Sequence, residues 1–168
     1  MRKNVTGLFD AVMNRPYSGD DDDKVIIQKN TYVLERLGLN IGEFCFYWDK
    51  FGPYSIELRD AVQYEMDNYT DGEKKHRYSE FIESRITMVQ SVLHEGDKLH
   101  VDIRSWLEIV CSLHYLKNYV PLDNDILTEL EKRKPNYNNR DINSKALEII
   151  NIIDSTGCYD GMGDDSSN

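Results

Sequence analysis

The run Glu43-Phe44-Cys45-Phe46-Tyr47-Trp48-Asp49-Lys50-Phe51-Gly52-Pro53-Tyr54-Ser55 decides how this chain is read. The segments on either side carry apolar residues at helical spacing. Within the run Phe44, Phe46 and Trp48 alternate with Cys45, Tyr47 and Asp49, the period-two pattern of a strand with one buried face. Phe51 to Ser55 reads as a turn: Gly52 supplies conformational freedom, Pro53 fixes its own φ, and Ser55 is suited to cap a helix beginning near Ile56. The expected fold is mainly α, a winged-helix-like helical domain with a short aromatic strand or hairpin.

Working outward, Val25 to Leu37 places Ile26, Ile27, Tyr32, Val33, Leu34 and Leu37 on a helical stripe, with Gly38 where a left-handed C-cap is wanted. Val5 to Met13 predicts a shorter first helix, closed by Pro16 and Ser18-Gly19. Between the two, Asp20-Asp21-Asp22-Asp23 reads as an acidic loop whose last members favour the positive end of the next helix dipole. Downstream, helical period recurs through Leu58, Ala61 and Val62. It returns from Tyr78 to Leu93 with an end near Gly96, and again from Trp106 to Leu116. A shorter helix is predicted over Asp123 to Lys132, stopped by Pro135, and a last one over Asp141 to Ile153. The domain is placed at residues 1–156; residues 157–168, rich in Gly, Asp and Ser, form a tail expected to stay mobile because it has little to bury.

At 168 residues the chain suits one core, and 40% hydrophobic residues with 11 Tyr give that core enough apolar surface. Thirty acidic against twenty basic residues leave a formal charge of -10, which repels a phosphate backbone unless the basic residues gather on one face. No apolar run reaches the ~18 residues of a membrane span and the N-terminus lacks the pattern of a signal peptide, so a cytoplasmic location without membrane contact is expected. The three cysteines, Cys45, Cys111 and Cys158, have no CxxC spacing and read as reduced, mostly buried thiols.

Three segments in order carry a family resemblance: Ile27-Gln28-Lys29 with Tyr32-Val33-Leu34; the aromatic run into Phe51-Gly52-Pro53-Tyr54-Ser55-Ile56-Glu57-Leu58; and Leu113-His114-Tyr115-Leu116 leading to Ile126, Leu130, Arg133-Lys134-Pro135 and Ala146-Leu147. Over roughly residues 20 to 153 the chain resembles the YwgA-like group of small bacterial and archaeal proteins, which is similar in its first half to the Panacea-type antitoxin domain. The resemblance implies a helical, winged-helix-like fold and, through the Panacea relatives, neutralisation of a toxin by direct contact.

The chain lacks the local signatures of catalysis. It has no G-x-S-x-G, no Walker A loop and no G-x-G-x-x-G, and its four histidines have no HExxH or CxxC companion. No enzymatic activity and no cofactor or metal are expected; a third reading, after protein binding and nucleic-acid binding, is an enzyme without a recognisable motif whose site is formed by residues distant in sequence. The candidate partner-binding residues are Tyr47, Phe51, Gly52, Pro53 and Tyr54, because strand alternation turns Tyr47 outward beside a Gly-Pro turn and tyrosines are favoured at protein interfaces. The expected partner is a protein, such as a toxin or effector. The alternative is a winged-helix nucleic-acid binder using Lys74, Lys75 and Arg77, since a basic cluster at a helix start runs against the helix dipole and points to an external anion. Lys132-Arg133-Lys134, by contrast, suits the negative end of its own helix. Oligomeric state is not legible.

Overall fold

The computed structural model describes residues 4–69 and 77–160, and in helix α7 the side chains only up to residue 157. In chain order the elements are α1 (Val5–Met13), α2 (Asp21–Arg36), β1 (Tyr47–Asp49), β2 (Gly52–Tyr54), α3 (Ile56–Asp67), α4 (Glu80–Lys98), α5 (Ile103–Tyr119), α6 (Ile126–Arg133) and α7 (Arg140–Asp160). The chain is mainly helical with one two-stranded antiparallel hairpin, paired Tyr47 to Tyr54, Trp48 to Pro53 and Asp49 to Gly52. Among the described residues no helix is long and apolar enough to cross a membrane.

Helix α5 is the axis of the fold. It packs against α7, α2, β2, α6 and α4, and its residues Trp106, Leu107, Val110, Cys111, Leu113 and Leu116 are fully buried. From Trp106 to His114 the helix has no solvent face, so its polar residues Glu108, Ser112 and His114 are buried as well. Helix α2 is the second inner element, with Gln28, Lys29, Asn30 and Thr31 buried beside Ile26, Ile27, Tyr32, Val33 and Leu34. Gln28, Lys29, Glu108 and His114 find partners across the core, whereas the side chains of Asn30 and Ser112 have none among the described residues.

The helix ends follow local chemistry. Asp20 caps α2 by accepting from the Asp23 N–H, and Asp21, Asp22 and Asp23 occupy its first turn, where the dipole favours carboxylates. At the other end Gly38 takes φ +88°, with the Gly38 N–H donating to the Glu35 carbonyl and the Leu39 N–H to that of Leu34, a Schellman stop. Helix α4 closes with the same pattern, but there His100 occupies the left-handed position at φ 56°. Ser55 caps α3 through the Leu58 N–H, as its position after the Gly-Pro pair predicts.

Three expectations are corrected. The strand predicted over the whole of 43–51 is hydrogen-bonded only over Tyr47–Asp49, and Gly52–Tyr54, read as a turn, is the second strand; the connection is Lys50-Phe51. Pro53 is admitted because β2 needs no N–H from it at the pair with Trp48. The last helix does not stop at Ile153 but runs through Gly157 to Asp160, so the boundary expected at 157 falls inside it. A Cβ at Gly157 would run into the Arg36 carbonyl, so glycine is retained there for close packing and not as a helix stop. Of the cysteines, Cys111 is buried but Cys45 is exposed, because it lies on the outward parity of the 43–49 run.

Candidate functional site

The hairpin is joined to the helices by a set of buried polar contacts. The side of β2 that faces α2 exposes the backbone of Pro53 and Ser55. Pro53 has no N–H to satisfy, and its carbonyl accepts from Lys29 Nζ at 2.6 Å. Ser55 donates its N–H to Gln28 Oε1 at 2.9 Å and accepts at its carbonyl from Gln28 Nε2, also at 2.9 Å. Two consecutive side chains of α2 thus take the place of a third strand, and no polar group on that edge is left open.

The turn is fixed from the opposite end of the sequence. Lys134 Nζ donates to the Lys50 carbonyl at 2.7 Å and pairs with Glu108 Oε1 at 2.7 Å, while Tyr137 donates to Glu108 Oε2 at 2.8 Å. Lys134 and Glu108 are each 6% exposed at the side chain, so the pair is desolvated and its geometry must offset a large cost. Trp48 lies under the Arg133 and Lys134 cations and packs on Tyr115. The reading of Lys134 as a solvated partner of the α6 dipole is therefore replaced by a buried ion pair that anchors the hairpin.

Lys29 is the more unusual of the two lysines. It is 1% exposed, and burial pushes its pKa from 10.5 down to about 8, with Glu108 and Asp49 acting in the opposite direction and Lys134 adding to the depression. Cys111 Sγ lies 3.7 Å from the Lys29 carbonyl, and burial pushes its thiol up to about 12, which keeps it protonated and unsuited to nucleophilic attack. A second buried set links α2, α5 and α7: the Tyr32 hydroxyl meets His114 Nδ1 at 2.8 Å, and His114 Nε2 meets Asp154 Oδ1 at 2.8 Å. Burial holds the His114 pKa below its usual value against the opposing pull of Asp154. Among the described residues no group of three His, Cys, Asp or Glu side chains is placed to hold a metal ion.

On the outside, exposure alternates along residues 43–49: Glu43, Cys45, Tyr47 and Asp49 are exposed, and Phe44, Phe46 and Trp48 are half-buried against the core. Tyr47, 41% exposed, meets its cross-strand partner Tyr54 edge-on at 6.0 Å between ring centres. Tyr54 and Phe51 in turn line a cleft of about 400 Å³ between the hairpin and α2, with Lys24, Asp49 and Arg104 at its walls and Gln28 and Lys29 beneath.

Of the five predicted partner-binding residues, Tyr47 is exposed and Phe51 and Tyr54 are half-buried and reachable. Gly52 and Pro53 are buried and belong to the docking of the hairpin, because Gly52 lies against Ser112 of α5 and Pro53 against Lys29. Of the predicted nucleic-acid contacts, Arg77 is exposed, and Lys74 and Lys75 lie outside the described residues. Sequence reasoning missed Gln28, Lys29, Glu108 and Lys134; the signal for the first two was a polar pair in the middle of an apolar helical stripe.

No family model matches the chain, and neither the curated proteins nor the solved structures contain a match to it.

Proposed function

We propose that this chain acts by contact with a protein partner, with the hairpin as the contact element and the Tyr47–Tyr54 pair as its anchor. The observation that carries the reading is an exposed aromatic residue on a hairpin whose second strand is held by buried polar contacts from α2 and whose turn is held by Lys134 at the end of α6. An anchor fixed before binding loses little conformational freedom on association, and tyrosine on such a scaffold is a common source of binding energy. The surrounding surface sets the chemistry of the partner. Asp49 and Glu57 lie close to Tyr47, Asp60 is paired with Arg59 beside Tyr54, and the whole chain carries -10, so a basic protein surface is favoured.

An antitoxin-like or regulatory role, in which a basic toxin or effector is occluded, fits this chemistry and the resemblance of the three segments. A nucleic-acid role is disfavoured at the hairpin, where a phosphate backbone would meet the carboxylates of Asp49 and Glu57.

The test is quantitative affinity purification of the tagged chain from its source cells, comparing wild type with Tyr47→Ala and with Ile152→Ala, an exposed position on α7. A stoichiometric protein retained by wild type and Ile152→Ala but depleted about tenfold by Tyr47→Ala is expected, a change equivalent to ~1.4 kcal/mol. Recovery of salt-sensitive nucleic acid alone would replace this reading with the alternative.

A further inference from the structure

The two edges of the hairpin are not equivalent. The β2 edge is closed by Gln28, Lys29 and the missing N–H of Pro53, whereas β1 has β2 as its one substantial neighbour among the described elements. The register fixes which β1 groups point away. Asp49 and Gly52 flank the two-residue connection, so this pair and Tyr47–Tyr54 are the hydrogen-bonded sites, and Trp48–Pro53 is the site between them. The Pro53 carbonyl, turned to Lys29, agrees with that assignment. Trp48 therefore directs its N–H and C=O to the outer edge, and among the described residues no hydrogen bond from another element reaches that backbone.

We infer that the outer edge of β1 is a docking site for an extended segment of a basic partner protein, which adds to the hairpin as a third strand. The inference rests on the reading of the hairpin as a protein-recognition element and specifies how recognition occurs. An added strand places its side chains beside Glu43, Cys45, Tyr47 and Asp49 on the exposed face, so alternate lysine or arginine residues flanking an apolar one complement the edge. In antiparallel self-pairing centred on Phe46, Glu43 would stand opposite Asp49, and like charges directly opposed destabilise that register.

The test selects binders from a library of random linear peptides on the full-length chain, then resynthesises the enriched peptides with N-methyl groups on alternate backbone nitrogens. Strand addition uses N–H groups of one parity. Methylation of that parity is expected to weaken binding about tenfold or more, and methylation of the other parity less than about twofold, as the loss of one or two net hydrogen bonds requires. The modification is on the peptide, so folding of the protein is not at issue. Peptides that require Tyr47 but ignore N-methylation at both parities overturn strand addition and leave the hairpin reading standing. Peptides indifferent both to Tyr47→Ala and to methylation overturn both. Failure to enrich cationic sequences, or concentration-dependent dimerisation of the free chain through β1, overturns the proposed occupant.

Discussion

The side-chain amide of Gln28 holds both backbone polar groups of Ser55, donating to its carbonyl and accepting from its N–H at 2.9 Å each, across 27 positions of sequence. One side chain therefore fixes where β2 ends and α3 begins. Gln28→Leu keeps approximate volume but leaves the buried Ser55 N–H unpaired, at a cost of about 2–4 kcal/mol on adding the lost bonds to the stranded donor. Urea denaturation measures the loss, and hydrogen exchange should show the Ser55 amide among those most affected. An unchanged midpoint would mean that the contact contributes nothing.

Glu108 and Lys134 should behave as a coupled pair. Lys134→Met leaves the Glu108 carboxylate in the core with Tyr137 as its remaining partner, and the expected destabilisation is about 3–5 kcal/mol. Adding Glu108→Gln to Lys134→Met should recover part of it, since the stranded charge is removed. A double-mutant cycle with additive energies would contradict the coupling.

Lys29 gives a pH signature of definite sign. Below about pH 8 the folded and unfolded chains both carry the proton, and the cost of burying the ammonium is constant. Between about 8 and 10.5 the unfolded chain retains a proton that the folded chain has released. Stability relative to Lys29→Met should therefore rise with pH across that window, by up to about 3 kcal/mol for a shift of this size. Chemical denaturation of both proteins at several pH values checks this, and a difference that stays flat or falls would reverse the assignment.

His100 occupies the left-handed position that ends α4 and is exposed. His100→Gly removes the strain of a side chain at positive φ and should stabilise the fold by about 0.5–1 kcal/mol, read as a raised denaturation midpoint. Gly96→Ala on the same helix should act in the opposite direction, because its Cβ would lie 2.6 Å from the Trp106 ring, whose Nε1 is committed to the Val92 carbonyl.

The legible parts of this fold are those set by local chemistry. Gly38 and Ser55 could be placed as helix stop and start because a left-handed C-cap and a hydroxyl N-cap are written in one or two residues, and the parity of 43–49 alone puts Tyr47 outside. Residues whose role depends on a distant partner were not legible. Lys134 at the end of α6 has the sequence context of an ordinary dipole-compensating lysine, and nothing local announces Glu108 or the Lys50 carbonyl. Gly52-Pro53 looks like a turn for the same reason: whether it forms a strand depends on Gln28 and Lys29 closing its edge. Tyr32 was legible as a member of a helical stripe, but not its pairing with His114, 82 positions away, which the structure brings to 2.8 Å.

The most direct measurement is photo-crosslinking in the source cells, with a photoreactive amino acid at Tyr47 and, in parallel, at Ile152. The account predicts one protein adduct captured at residue 47 and absent at 152, with the crosslinked partner peptide basic and extended. Equal capture at both positions, or none at 47 while 152 captures a partner, would contradict the assignment of the hairpin as the recognition element.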